Sequence, residues 1–496
     1  MLAKSNERVA PNRVAAPLIQ IGKDVIELIT SGMYVSPITI FREYVQNSAD
    51  ALDAARAQNV LAPGQGRVSI ALDHTKRTIT VRDNGTGIPV GKAPSILLAI
   101  GASPKRGSEA RGFRGIGRLS GLAYCRELQF RTKAFGENDI TSIRWDCRAL
   151  RALLIERNSQ DLQALIEAVV TVDIEQSDDS SDHFFEVTMR DVSRHRYDIL
   201  LNEKMIAEYL SQVAPVPFHP SFSFAPEIER HISDCGANIT AVDLYIDDQQ
   251  IFRPYRNEIG LPASDKSLRV QGIELLDFRD VDGGLAAVGW IGHHEYVRSI
   301  PSSLNIRGIR GRIGNVQIGD FDLFQDCYKE PRFNGWSIGE LHIVDRRILP
   351  NARRDNLELN HHHYNLLAQM GPLAASISTK CRTSSVSRNA VIGIQNAIEG
   401  ARRVLDGKPT IDAGLASSSM ASLARVRLRL KGVGDETKRQ GLQSEITKLE
   451  GELRAIDYNT PTRIVAFDEV IALVSKLVTN RDQAKKLKEA LQNITA

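Results

Sequence analysis

Residues 41–56 read FREYVQNSADALDAAR, and helical spacing places Glu43, Asn47 and Asp50 on one face of this stretch. The positions around them, Phe41, Val45, Ala51, Leu52 and Ala54, are mostly apolar, so the segment reads as an amphipathic helix carrying three polar residues in register. Ser36-Pro37 supplies an N-cap and a first-turn proline, which predicts a helix start near Pro37. A carboxylate one turn before a carboxamide suits a magnesium-nucleotide site. The amide oxygen can ligate a hard cation while the carboxylate orients and deprotonates a water. The plain alternative is a solvated polar stripe.

Two further elements follow downstream. TITVR (78–82) alternates and is rich in β-branched residues, so it predicts a strand, and it runs into DNGTGIP. Asp83 at the strand end offers an acceptor for an exocyclic amine, and Gly85 and Gly87 let backbone approach a flat ring. A hairpin loop would use the same residues. RGFRGIGRLSGLA (111–123) passes from loop chemistry into an apolar helical pattern through Ile116 and Leu119. Gly112, Gly115 and Gly117 would present backbone N–H groups at a helix N-terminus, where the dipole favours phosphate. GASPKRGSEA (101–110), with Ser103, Lys105 and Arg106, has the small, polar and charged composition of a lid. Lys105 is the stronger phosphate candidate, whereas Arg106 suits ordinary loop solubility.

These three elements, in this order, resemble the GHKL ATPase superfamily, which includes the ninety-kilodalton heat-shock chaperones, MutL-type mismatch-repair ATPases, type II topoisomerase ATPase subunits, MORC proteins and sensor histidine kinases. NSADALDAAR is similar to the chaperone branch, and RGFRGIGRLS is intermediate between the chaperone and MutL forms. The resemblance implies ATP and Mg2+ as cofactors and an N-terminal Bergerat-fold α/β sandwich with a left-handed crossover. Glu43 would be the general base, Asn47 the magnesium ligand and Asp83 the partner of the adenine amine. Asp50, Gly85, Gly87, Ser103, Lys105, Gly112, Gly115, Ile116 and Gly117 would complete the nucleotide contacts. The family's Gly-Thr pair is missing from the candidate strand HFFEVTMRDV (183–192), where Thr188 is the substitute offered. A second match, IGELHIVDRRILPNARRDNLE (338–358), resembles the chaperone segment that delivers a catalytic arginine to the γ-phosphate, and it puts Arg354 in that role. Arg353 is the neighbour to test next. The alternative is that Arg353 and Arg354 are loop residues salt-bridged near Asp345 and Asp355.

The 496 residues, 42% of them hydrophobic, predict about three domains of an α+β protein. Residues 15–195 form the ATP-binding domain, 215–358 an α+β middle domain opened by the linker-like APVPFHPSF (214–222) and carrying strands such as AVDLYID, and 364–496 a helical region. DGKPTIDAGLASSS (406–419) reads there as a flexible insert, and Ile464–Ile494 as a last amphipathic helix. Leu442, Ile446, Leu449, Leu453 and Ile456 form a short coiled-coil seam, which would pack on a sister helix of this chain or between subunits. Five scattered cysteines suggest neither a disulfide framework nor a zinc site, and fit the cytoplasm. His361–His363 lack placed partners and read as an exposed loop or helix start. No signal peptide or membrane span is expected. With a net charge of +3 the whole chain does not announce nucleic-acid binding, and Arg307, Arg310 and Arg312 read as a solvated hairpin. By resemblance the first dozen residues could cross to a partner subunit of a homodimer. The expected function is a slow ATPase clamp of chaperone type acting on protein clients, with a nucleic-acid-handling clamp of MutL or MORC type as the alternative.

Overall fold

The computed structural model describes residues 36–62, 64–100, 117–156, 162–179, 181–237, 240–262, 265–407 and 413–455. The expected lid residues Ser103, Lys105, Gly112, Gly115 and Ile116 lie outside them, as do the first dozen residues, Ile456 and the helix expected at 464–494. The chain divides into two compact units, 1–381 and 382–496.

Helix α1 (Thr39–Ala57) starts two residues later than Pro37. Ser36 contributes its carbonyl and not a capping side chain, accepting from Thr39 N at 3.2 Å and Thr39 Oγ1 at 2.7 Å. The apolar positions read from the sequence do the packing, with Phe41, Val45 and Leu52 fully buried. Strands β1 (Arg67–Asp73) and β2 (Thr78–Asp83) follow as a hairpin, then the short α2 (Ala93–Leu97), β3 (Glu127–Lys133), β4 (Asp139–Asp146), α3 (Cys147–Ile155), α4 (Leu162–Val169), β5 (Val170–Gln176) and β6 (Phe184–Arg190). Asp146 caps α3 through side-chain bonds from Arg148 N and Ala149 N at 3.0 and 2.8 Å. After α5 (Glu203–Val213) and α6 (Ala225–Asp234) come β7 (Asp243–Ile246) and β8 (Gln249–Gln250).

These eight strands make one sheet in the order β5-β4-β3-β6-β2-β1-β7-β8, antiparallel except where β7 runs parallel to β1. AVDLYID therefore belongs to the first sheet and not to the middle region. Alternation identifies a strand, but only the tertiary pairing of Arg67 with Asp243 says which sheet it joins. One face of the sheet carries Ile79, Val81, Leu128, Phe130, Val187 and Met189 against α1 and the neighbouring helices. The other carries Arg82, Arg131 and Glu186, with ion pairs of 3.3 and 3.7 Å. This is the two-sided pattern of an antiparallel sheet.

The next strands are β9 (Glu258–Gly260), β10 (Ser267–Arg269), β11 (Gly272–Arg279), β12 (Leu285–His293), β13 (Gly308–Ile313), β14 (Val316–Ile318) and β15 (Ile338–Ile343), of which the last five form a sheet ordered β11-β12-β15-β13-β14. The passage 214–222 that leads here is not a loose linker. Val216, Phe218 and Phe222 are buried, and Pro215 O and Pro217 O accept from Val242 N and Arg253 N at 2.9 Å each. The β13–β14 hairpin is real but not solvated. Arg310 and Arg312 are buried, and Arg312 Nε donates to the fully buried Glu340 at 2.7 Å, with Arg253 on the other carboxylate oxygen. Arg312 also donates to the carbonyl of Gln212 at 2.7 Å, at the C-terminal end of α5, where a cation complements the dipole.

Helix α7 (His361–Asp406) begins at the three histidines, and α8 (Ala413–Arg427) and α9 (Glu436–Arg454) complete the described chain. The triplet is a helix start, as expected, with His361 exposed but His362 and His363 buried. Much of the expected insert at 406–419 is the start of α8. Leu442, Ile446, Leu449 and Leu453 pack with Ile394, Ile398, Ala401 and Leu423, so the seam closes on sister helices of the same chain. All five cysteines are thiols.

Candidate ATPase site

The site is built along α1, with Glu43 and Asn47 half-buried and Asp50 buried. Next to Glu43 lies Gly117, the first residue of the 3-10 turn Gly117–Ala123. A Cβ on Gly117 would run into Glu43 Oε2, and one on Gly121 into the Tyr44 hydroxyl, which accepts a hydrogen bond from Gly121 N at 3.0 Å. Glycine is what lets this backbone close on the carboxylate. Burial pushes the Tyr44 phenol up.

Two turns further along α1, the loop after β2 makes a similar approach. Asp83 is 1% exposed, and its Oδ1 accepts from Gly85 N at 2.9 Å. A Cβ on Gly85 would come 2.7 Å from Ala51 Cβ. Gly87 has φ +62°, and a Cβ there would strike the carbonyl of Lys133. The loop is also pinned by Ile88 N donating to Thr132 Oγ1 at 2.9 Å and by His183 Nδ1 donating to Gly85 O at 2.6 Å. The glycine contacts at Glu43 and Ala51 are about 12 Å apart along the helix. Both close approaches therefore face one helical wall that also carries Asn47.

Thr188 is not part of this wall. Asp83 lies opposite Phe185, whereas Thr188 lies opposite Thr80. Strand alternation turns Thr188 to the polar face of the sheet and leaves Phe185 at the position facing Asp83. The offset is odd, and only the register reveals it.

Arg354 reaches the same helix from the second sheet's side of the unit. Its Nη1 donates to Gln46 Oε1 at 2.6 Å. Arg42 donates to Glu43 Oε1 at 3.0 Å and to the carbonyl of Arg353 at 3.4 Å. The loop 351–355 holds Arg354 at φ +58°, and its carbonyl accepts from Gly319 N at 2.9 Å. A non-glycine residue in the left-handed region is strained and is kept where its surroundings over-determine it. Beside this loop Asp345 is paired with Arg347 at 2.8 Å, and Asp355 accepts from Asn351 Nδ2 at 2.6 Å. Arg42 and Gln46 escaped the sequence reading although both stand inside the quoted helix. Their spacing from Glu43 gave no reason to expect partners some 300 residues away.

The donor set suits a magnesium nucleotide. The Asn47 side chain has no hydrogen bond to another described residue, and its hard amide oxygen stands on the helix that also bears a carboxylate and the glycine contacts. Among the described residues no three His, Cys, Asp or Glu side chains gather as an all-protein metal site.

Residues 35–178 match the family described as histidine kinase-, DNA gyrase B- and HSP90-like ATPase. The chaperone protein HtpG of Shigella dysenteriae is 27% identical over 142 residues, which is 25% of this chain and 23% of that protein. HtpG of Escherichia coli K12 and O157:H7 match to the same extent. The match spans about a quarter of the length of these curated relatives. No described helix is long and apolar enough to cross a membrane. The segment that holds Glu43, Asn47, Asp83 and Gly117 is the part of the chain that is similar to ATPase domains of the GHKL superfamily.

Proposed function

We propose that the chain is a magnesium-dependent ATPase that works as a slow, chaperone-like clamp in the cytoplasm, as a homodimer acting on protein clients. The observation that carries this reading is the 2.6 Å bond from Arg354 to Gln46, which seats an arginine from the second sheet's side on the helix bearing the acid-amide pair. Asp83 would accept from the adenine amine, with Gly85 and Gly87 against the ring. Asn47 would hold Mg2+, which when bound neutralises charge on the phosphate oxygens. Glu43 would orient the attacking water and take its proton, and Arg354 would meet the charge that grows on the transferred phosphoryl oxygens.

The test is steady-state ATP hydrolysis by wild type, Glu43→Ala and Arg354→Ala, with calorimetric ATP binding for each. Glu43→Ala should lose about 10²–10⁴-fold in rate while still binding ATP. Arg354→Ala should lose about 10²-fold or more. A Glu43→Ala protein that hydrolyses at the wild-type rate removes its assignment as base. Absence of any heat with ATP and magnesium removes the whole reading.

One observation favours the nucleic-acid alternative. Residues 382–496 carry 19 Lys and Arg against 13 Asp and Glu. At the end of α8 and in the turn after it, Arg425, Arg427, Arg429 and Lys431 are exposed, and Arg427 is paired with Glu450 at 3.0 Å. Retention on DNA or RNA that falls steeply with salt would decide for that reading.

A further inference from the structure

A cavity of about 590 Å3 opens between the start of α1, the end of α5 and the β13–β14 hairpin with the loop after it. Glu43, Asn47, Asp83 and Gly117 do not line it, whereas Arg42 and Arg354 do, so it is a compartment that adjoins the nucleotide wall. Five arginines line it, Arg42, Arg307, Arg310, Arg353 and Arg354, against the aspartates Asp320, Asp322 and Asp355. Arg310 and Asp320 answer each other at 3.0 Å. Arg307 stacks 3.6 Å over the Phe321 ring, and neither it nor Arg353 has a carboxylate partner among the described residues. Ser36 and Thr39 bring the start of α1 to the same wall. The first turn of this 19-residue helix holds no acidic residue, so its positive end is not offset there.

Gln317 is part of the same wall. It lines the cavity at 3% exposure, and its Nε2 donates to Gly319 O at 3.0 Å, while its Oε1 has no hydrogen-bond partner among the described residues. A wall of guanidinium donors fits an anion with several acceptor oxygens, and phosphate is such an anion.

We propose that this cavity is a phosphate site, filled by orthophosphate or by the phosphoryl end of a small phosphate ester. The choice of orthophosphate rests on the ATPase reading. Arg42 lines the cavity and also holds Glu43 at 3.0 Å, so one arginine touches both the cavity and the proposed base.

Isothermal titration of the full chain without nucleotide, using orthophosphate and glucose 6-phosphate in turn, tests the assignment. Orthophosphate should bind wild type, bind Arg307→Gln at least tenfold more weakly, and bind more tightly to Asp322→Asn, in which a lining negative charge is removed. ATP association should be the same in all three proteins. Orthophosphate should also slow steady-state hydrolysis without raising KM for ATP, and Arg307→Gln should relieve this. No heat with millimolar orthophosphate, or equal affinity in wild type and both variants, overturns the site. If the chain binds no ATP yet takes glucose 6-phosphate in an Arg307-dependent way, the ATPase reading fails while the cavity assignment stands with the ester as its source.

Discussion

Gly117 and Glu43 are held so close that the missing side chain of one defines the position of the other. Gly117→Ala must push the carboxylate aside, and hydrolysis should fall about tenfold or more, since displacement by about 1 Å at a reacting group costs up to 10²-fold. Thermal unfolding should change little. At the other end of the wall, Asp83→Asn keeps the shape but replaces an acceptor oxygen with a donor, and ATP affinity should drop at least tenfold by calorimetry. Thr188→Ala is the matching control. Thr188 stands opposite Thr80 on the far face, so its loss should leave ATP affinity unchanged. A loss comparable to that of Asp83→Asn would show that the register carries no such consequence.

Strand β15 poses a different problem, because it buries Glu340 completely between Arg253 and Arg312. Burial alone would raise the Glu340 carboxyl, but the two guanidiniums hold it well below its ordinary range, while burial lowers Arg253 to about 10. Removing one charge from such a cluster leaves the others uncompensated, so Glu340→Gln should cost about 3–5 kcal/mol in urea unfolding. His342 lies 3.5 Å from Glu340, and burial brings it from 6.5 down to about 4. The neutral imidazole is thus favoured in the folded state. Between pH 6.5 and 4 the unfolded chain binds more protons, so stability is present above pH 6.5 and is lost as pH falls toward 4. Glu340 works in the same direction below its ordinary value of 4.5. Urea midpoints measured from pH 7 to 4 should therefore fall, and His342→Gln should flatten the upper part of that decline.

On the scale of the whole chain, the two compact units differ in charge as well as in architecture. If the clamp grips protein clients through apolar surface, client retention should change little between 50 and 200 mM salt. A grip on nucleic acid through Arg425, Arg429 and Lys431 should weaken by orders of magnitude over the same range. Light scattering with and without a non-hydrolysable ATP analogue measures whether the mass is that of a dimer and whether nucleotide changes it.

The family resemblance of the N-terminal segment was legible in the sequence because an acid-amide helix face, a strand ending in Asp83 and glycine-rich turns are local patterns, each set by neighbours a few residues apart. The distant Arg354 was legible only through its motif. What tertiary structure decided was pairing. It assigned β7 to the first sheet, turned Thr188 away from Asp83, buried the Arg310 and Arg312 hairpin and seated Arg354 on Gln46. Side-chain period and charge name the kind of element, but register, burial and partners at long range are fixed only when separate segments compete for the same core.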